Sequence, residues 1–459
     1  MKKLPIILFI VFSILGALSF IFLNNIISIF CFAISSMSIT YFFYTKNDNI
    51  KDIAASNVKA ISFVLTFVLV AAFSFYITFF VKGKVDELRS KVKDYEAPVK
   101  LVAISTYSEQ EADLSLQTYR STLPDTSLVI VKNNSNMIIR NSTFTKYEGS
   151  STNCEYSNLY GLNALFLNKA GSHTLLNNVE ILSEEKCAIP VFATGEKSIV
   201  DITDSKIITK SSKDTGALAA TIGGEINANN ITVLVKGKNS PALTTLKDSH
   251  ITVVNSLIET SSSSSPIISA EGSIELKNVA GTSNQDKILV LKENGKVSLN
   301  SSAFLTAGRG DSINNHSAID IEGKDNCLNI KESTINISNK NLYYDVASIF
   351  NINNADTEIV LEKNEYNTGS NVFLKSKDSK IKMTLINENI NKDFILNNTV
   401  LELILENSTF SGNLNDVNVT LDKNSKIVLN QDTKLKSLNN EIEDNSNIEL
   451  NGYKLEIEE

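Results

Sequence analysis

The densest set of reactive side chains in the sequence is Arg309-Gly310-Asp311, with His316, Asp320, Glu322 and Asp325 following. It joins one of only four Arg and one of three His to four carboxylates. Two carboxylates about 5 to 10 Å apart can hydrolyse a glycosidic bond, and several converging on one calcium ion can assist elimination from an acidic sugar. Arg309, Asp311 and Asp320 are therefore the catalytic candidates. The competing reading is a solvated insertion between two structural repeats. Arg-Gly-Asp is also an integrin-type tripeptide, but three-residue matches recur by chance.

A second cluster, Tyr147, Glu148, Cys154, Glu155, Tyr156 and Tyr160, is aromatic and acidic. Insertions of this kind form binding faces on repeat proteins, so Tyr147, Tyr156 and Tyr160 are binding candidates. A packed lid over the end of a core is the alternative. Cys154, Cys187 and Cys327 lie outside the apolar N-terminal region, and Cys31 lies within it. No Cys-x-x-Cys pair exists, so neither zinc nor another cofactor is expected. Cys154 and Cys187 read as buried small hydrophobes, with a bridge in an oxidising compartment as the alternative.

Composition narrows the choice among these chemistries. The 459 residues include no Trp, 3 His and 6 Pro, a poor supply of side chains for acid/base catalysis and sugar stacking. The net charge of -8 leaves no positive field to displace phosphate counterions, so a nucleic-acid partner is not expected. That charge is uneven. Residues 1–98 carry 10 basic and 6 acidic side chains, against 33 and 45 in the remainder.

The basic part contains three uncharged apolar runs, 4–23, 26–44 and 60–81. Each is near the roughly 20 residues that a helix needs to cross a bilayer. They are expected as three transmembrane helices anchoring residues 4–81 in lipid. Tyr41, Phe42, Phe43 and Tyr44 on the second, and Tyr76, Phe79 and Phe80 on the third, suit interfacial anchors. A cleavable signal peptide is the alternative for the first run. Five Lys fall on one side of this arrangement and five Lys or Arg on the other, so charge does not orient it. Dominance of the first helix favours the N-terminus inside and the large C-terminal part outside a bacterial cell membrane. Val85, Leu88, Val92 and Tyr95 predict a juxtamembrane helix over 82–98. It is a candidate homo-oligomer contact through 82–96, or a stalk against its own domain, and Pro98 ends it. Ser108 with Glu111 is a capping-box pattern, predicting a capping helix over 108–121 within an N-terminal cap spanning 99–126.

From Ser127 onward the chain reads as short β-rich runs separated by turn formers. Of 53 Asn, 48 follow residue 98, and Asn tolerates the left-handed turn conformation. A four-residue phrase recurs ten times: a turn former, Ser, any residue, then Phe or Ile. Examples are Asn141-Ser142-Thr143-Phe144, Asp204-Ser205-Lys206-Ile207, Asp248-Ser249-His250-Ile251, Ser301-Ser302-Ala303-Phe304, Asp378-Ser379-Lys380-Ile381 and Asn407-Ser408-Thr409-Phe410. Their separations suggest a step of about 22 or 23 residues, the signature of a β-solenoid. Residues 127–459 are then expected to form about 12 to 14 coils, with Phe144, Ile207, Ile251, Phe304, Ile335 and Phe410 in one apolar column.

This pattern resembles the right-handed parallel β-helix superfamily that includes pectate lyases. The closing stretch, with Asp416 to Leu429, Leu435 to Leu438 and Ile448 to Leu455, is similar to the last coils of autotransporter adhesin passengers. The resemblance implies an all-β soluble part joined to an α-helical anchor. The β-barrel translocator of that family is expected to be missing, with the three N-terminal runs anchoring the chain instead. Catalytic members of the superfamily carry a Gly-His-Gly type of motif. Here His173, His250 and His316 sit in Ser-His-Thr, Ser-His-Ile and Asn-His-Ser. The favoured expectation is a structural or binding role toward a glycan or an envelope protein. A membrane-tethered polysaccharide lyase or hydrolase is the first alternative, and a cytoplasmic polymerising scaffold the second.

Overall fold

The computed structural model describes residues 97–169, 171–210, 213–310, 316–340 and 343–458. The chain divides into two units, Met1–Lys91 and Val92–Glu459, and every described residue belongs to the second. The expected spans 4–23, 26–44 and 60–81, the juxtamembrane helix as far as residue 96, and Asp311 lie outside the described residues. Among the described residues no helix is long and apolar enough to cross a membrane.

The described part is nearly all β and its strands pair in parallel. A typical coil contributes three strands, and most strands pair with their counterparts one coil before and one coil after, although Asn389–Asn391 lacks the first partner and Asp393–Asn397 the second. On the second strand of each coil the inward residues stack as Ala112, Met137, Thr174, Val200, Ile226 and Ile251. The column continues through Ile274, Val297, Leu328, Ile359, Met383, Leu403, Val419 and Leu438. That is fourteen rungs, at about 4.8 Å each a stack of roughly 60 Å. The third strand gives a parallel column: Tyr119, Phe144, Ile181, Ile207, Val233, Ile258, Gly281, Phe304, Ile335 and Tyr366.

The recurring phrase has a physical explanation at the corner between these strands. Its first residue takes the left-handed conformation, as at Asn141 (φ 50), Asp204 (φ 52), Asn255 (φ 52) and Asn407 (φ 49). Its Ser is buried and accepts an N–H from the preceding coil: Val279 N–H to Ser302 Oγ and Ser302 N–H to Ser333 Oγ, both 3.1 Å. The same hydroxyl donates to the carbonyl two residues back, as Ser302 does to Asn300 at 2.8 Å. Its last residue enters the core. The step between equivalent Ser is 31 residues from Ser302 to Ser333 but 17 from Ser408 to Ser425. The expected step of about 22 or 23 residues, with insertions where the gaps differ, therefore holds only in part, since some coils are also shorter. Register is what repeats, because outward turns can lengthen without moving the strands they join.

Two further expectations are corrected. Residues 108–121 are not a helix: Val102–Ser108, Glu111–Ser115 and Thr118–Ser121 are strands forming the first coil. The apolar period there is two. Ala112 and Leu114 pack toward the core, whereas Leu116, which a helix would bury, is 79% exposed. Ile251 also does not share the column of Phe144. Its phrase, like that at Ile381, marks the corner before the second strand, so the same four residues serve two corners.

Gly281 occupies a rung of the third-strand column that elsewhere holds a large side chain. A Cβ there would lie 2.5 Å from Phe304 Cδ1 and 2.9 Å from Ile267 Cδ1. Gly281→Ala should cost about 1–3 kcal/mol through overpacking. Adding Phe304→Leu should return part of that loss, read as the shift in denaturant midpoint. If the two losses simply add, Phe304 is not what fills the gap.

Candidate functional site

The outward residues of the first strand form their own column: Ile130, Leu167, Phe192, Ala219, Thr244, Ser269, Val290, Asp320, Asn351 and Lys375. Its early rungs are apolar and its late rungs polar. Each half has a different cover.

Over the apolar half lies the short helix Cys154–Tyr160. Asn153 caps it by accepting the Tyr156 N–H, and Gly161 (φ 72) ends it. Ile130, Ala164, Leu167, Ile189, Phe192 and Ala219 form a small hydrophobic cluster separate from the main core. A Cβ on Gly161 would stand 2.8 Å from Leu167 Cδ1, so the helix end rests directly on that cluster. Leu159 C=O accepts the Thr221 hydroxyl at 2.9 Å. Cys154 and Cys187 are joined in a disulfide with Cα atoms 5.3 Å apart, so they are more than buried small hydrophobes. The Asp214 carboxylate is close enough to both sulfurs for the three to form a metal cage. In the bridged state neither sulfur has a thiolate to give, and Lys186 and Lys213 each approach Asp214 at 3.9 Å.

Tyr156 and Tyr160 meet edge to face with centroids 5.8 Å apart, both half-buried, and Tyr147 is exposed. The insertion covers the side of the stack, not the end of its core. Its base is held by Lys146, fully buried, whose ammonium donates to Thr126 O and Asn163 Oδ1 at 2.6 Å each. Burial depresses that amine to about 8, against the pull of Asp125 and Glu185.

The polar half contains the Arg309 region. Lys287, almost wholly buried, pairs with Asp320 Oδ2. Asp320 Oδ1 accepts from Ser317 Oγ and, at 3.2 Å, from Asn351 Nδ2. His316 Nδ1 accepts the Gly310 N–H at 2.8 Å, and its ring lies 4.0 Å from that of Tyr343. Arg309 stands over Tyr343 at 5.9 Å. Burial, then Lys287, Lys375 and Arg309, make His316 harder to protonate. Asp286 is also buried, which raises it to about 7 against the bonds it receives from the Lys287 and Ser265 backbones.

The structure thus brings Arg309 and His316 together around Tyr343, and holds Asp320 separately between Lys287, Ser317 and Asn351. It does not bring in Glu322, exposed farther along the strand, or Asp325, which sits at the next corner with φ 57. Asp286, Lys287, Tyr343, Asn351 and Lys375 were not singled out from the sequence. Their common location depends on register: Asn351 is 31 residues from Asp320, a separation with no local signature. No protein-family model, curated protein or solved structure matches the chain.

Two outcomes are expected. The folded state holds the Asp286 proton up to about pH 7, whereas the unfolded chain releases it in the ordinary carboxylate range near 4. Stability should therefore fall as pH rises across that window. Asp286→Asn should flatten part of the fall in a series of denaturant midpoints from pH 4 to 8. Reduction of Cys154–Cys187, which closes a separation of 33 residues, should cost about 2–4 kcal/mol. It should also open peptide bonds near the helix to limited proteolysis, and equal protease resistance with and without reductant would contradict the clamp.

Proposed function

We propose that the chain is a membrane-anchored, extracytoplasmic protein whose coils form a right-handed parallel β-helix of the pectate-lyase-like kind. Its role is structural or binding, presenting its outer faces to an envelope glycan or protein. Right-handed connection between parallel strands is the rule for this topology, and the coil-by-coil register supports it. The apolar runs 4–23, 26–44 and 60–81 supply the anchor.

The observation carrying this reading is how the candidate reactive groups are engaged. Both oxygens of Asp320 are bonded, by Lys287 on one side and by Ser317 and Asn351 on the other. His316 and Arg309 meet the ring of Tyr343. Groups bound in this way fasten two insertions to a sheet. The disulfide supports the extracytoplasmic side, since such bonds persist in oxidising compartments.

A hydrolytic or lyase reading is favoured by one feature, the pair Asp286 and Asp320. Burial keeps the first protonated near neutrality, while a Lys faces the second, as an acid and a base would require. Depolymerisation of an acidic glycan by the purified full chain, abolished in Asp320→Asn, would favour it over the binding role.

Location is tested with single Cys substitutions between 82 and 100, in a background lacking Cys31 and Cys327. A membrane-impermeant maleimide should label them in intact cells. Labelling only after permeabilisation would place the stack in the cytoplasm and revive the scaffold alternative.

A further inference from the structure

The third-strand ladder is interrupted once. Glu365–Asn367 pairs with Thr334–Asn336 of the coil before, whereas the next third strand, Asn389–Asn391, pairs only with Thr409–Ser411 of the coil after. Asn389–Asn391 begins a separate four-stranded sheet. The corner ladder changes at the same place. Where the coils on either side put Ser333 and Ser408, these two put Asn364 and Glu388: Ser333 N–H donates to Asn364 Oδ1 at 2.9 Å, and Asn364 N–H to Glu388 Oε1 at 3.0 Å. Asn364 Nδ2 also donates to Glu388 Oε1, at 2.8 Å, and Glu388 N–H resumes the ladder at Ser408 Oγ, 3.0 Å.

A carboxyl therefore fastens a corner whose third strands no longer pair, although the second strand Lys380–Ile386 stays paired to Asp356–Glu362 before it and Val400–Glu406 after it. Glu388 is 3% exposed. Its second oxygen, Oε2, is buried with no hydrogen-bond partner, and so is the Tyr366 hydroxyl. Burial, and then the charge of Glu388, push the Tyr366 hydroxyl well above its ordinary range. No charged side chain contributes to the balance at Glu388, where burial acts against the bonds from Asn364. Nearby charges turn elsewhere: Lys363 approaches Glu332 at 3.9 Å, and Lys392 donates to Ser370 O at 2.7 Å.

We propose that this corner is a proton-operated hinge, in which neutral Glu388 holds the third strand Asn389–Asn391 against the corner of the coil before it and loss of its proton loosens that corner. A neutral carboxyl can sit in the core with Oε2 carrying the proton. A carboxylate has no cation to meet and must carry its charge in an apolar interior. Burial raises Glu388 to about 7, and an opened corner would return it to the ordinary range near 4.3. The closed form thus keeps its proton longer than the open one. Opening grows with pH between those values, by up to roughly tenfold per unit, and levels off above.

The test is amide hydrogen exchange on the full chain in detergent micelles at pH 5, 6 and 7.5, corrected for intrinsic rates. Amides at 364–368 and 387–391 should lose protection by tenfold or more across this series, while the Ile226 to Leu276 rungs do not. Glu388→Gln should abolish the change. Glu388→Ser, which restores the residue used at other corners, should do so as well if the Gln variant fails to fold. Asp286→Asn should leave the change intact. Constant protection in the native chain, or the same loss in Glu388→Ser, would overturn the hinge.

Discussion

Every corner of the stack poses the same problem: the chain must turn while its N–H, now inside the molecule, still needs an acceptor. A strand can pass that demand to its neighbour in the sheet, but a corner residue cannot. A recurring solution is a buried hydroxyl from the next coil, as when Ser142 receives the Gln117 N–H at 3.0 Å and Ser425 that of Ser408 at 3.1 Å. An unmade bond of this kind costs about 1–3 kcal/mol, so register is fixed at those corners independently of the apolar columns. Strands as short as Thr409–Ser411 and Lys426–Val428 can then be used beside such corners.

That constraint explains which variations the stack tolerates. Asn163, Asn326 and Asn364 replace the hydroxyl where a longer side chain can still deliver an oxygen: to Thr126 N at 3.2 Å, to Gly295 N at 3.1 Å and to Ser333 N at 2.9 Å. Asp286 and Glu388 satisfy the same demand with a carboxyl, and burial then moves both toward neutrality. Their unusual acidity follows from occupying a hydroxyl's place. It needs no catalytic purpose, which is why the pair Asp286 and Asp320 is weaker support for an enzyme than the values alone suggest.

Much of this was legible in the sequence, and the reason is the corner itself. The phrase exposes three separate requirements, a left-handed turn, a buried acceptor and a core side chain, in four adjacent residues, so it survives in the pattern even where coil length drifts. Fourteen rungs fall within the expected range. What failed were readings that needed the third dimension. Ser108 and Glu111 match a helix cap locally, yet the residues beyond them alternate with period two and join the sheet. Ile251 and Phe144 carry the same phrase on different corners. The Asp320 site was seen only in part, since Lys287 and Asn351 reach it from neighbouring coils.

The outward column of the first strand shows where specialisation can occur. Its inward neighbours are fixed by the core, but outward residues are free to change from Phe192 to Asp320 without disturbing register. Each half of the column has acquired a cover matched to its chemistry: an apolar helix end over Leu167 and Phe192, and a ring of Arg309, His316 and Tyr343 beside Asp320. Each cover is also held in its own way, by the Cys154–Cys187 disulfide in one case and by the Gly310–His316 hydrogen bond and the Tyr343 ring in the other. The long step from Ser302 to Ser333 contains the loop bearing Arg309 and His316. The equally long step from Ser333 to Asn364 contains Tyr343. Two successive coils have therefore lengthened at the same face, so that their insertions stack on each other as the strands beneath them do.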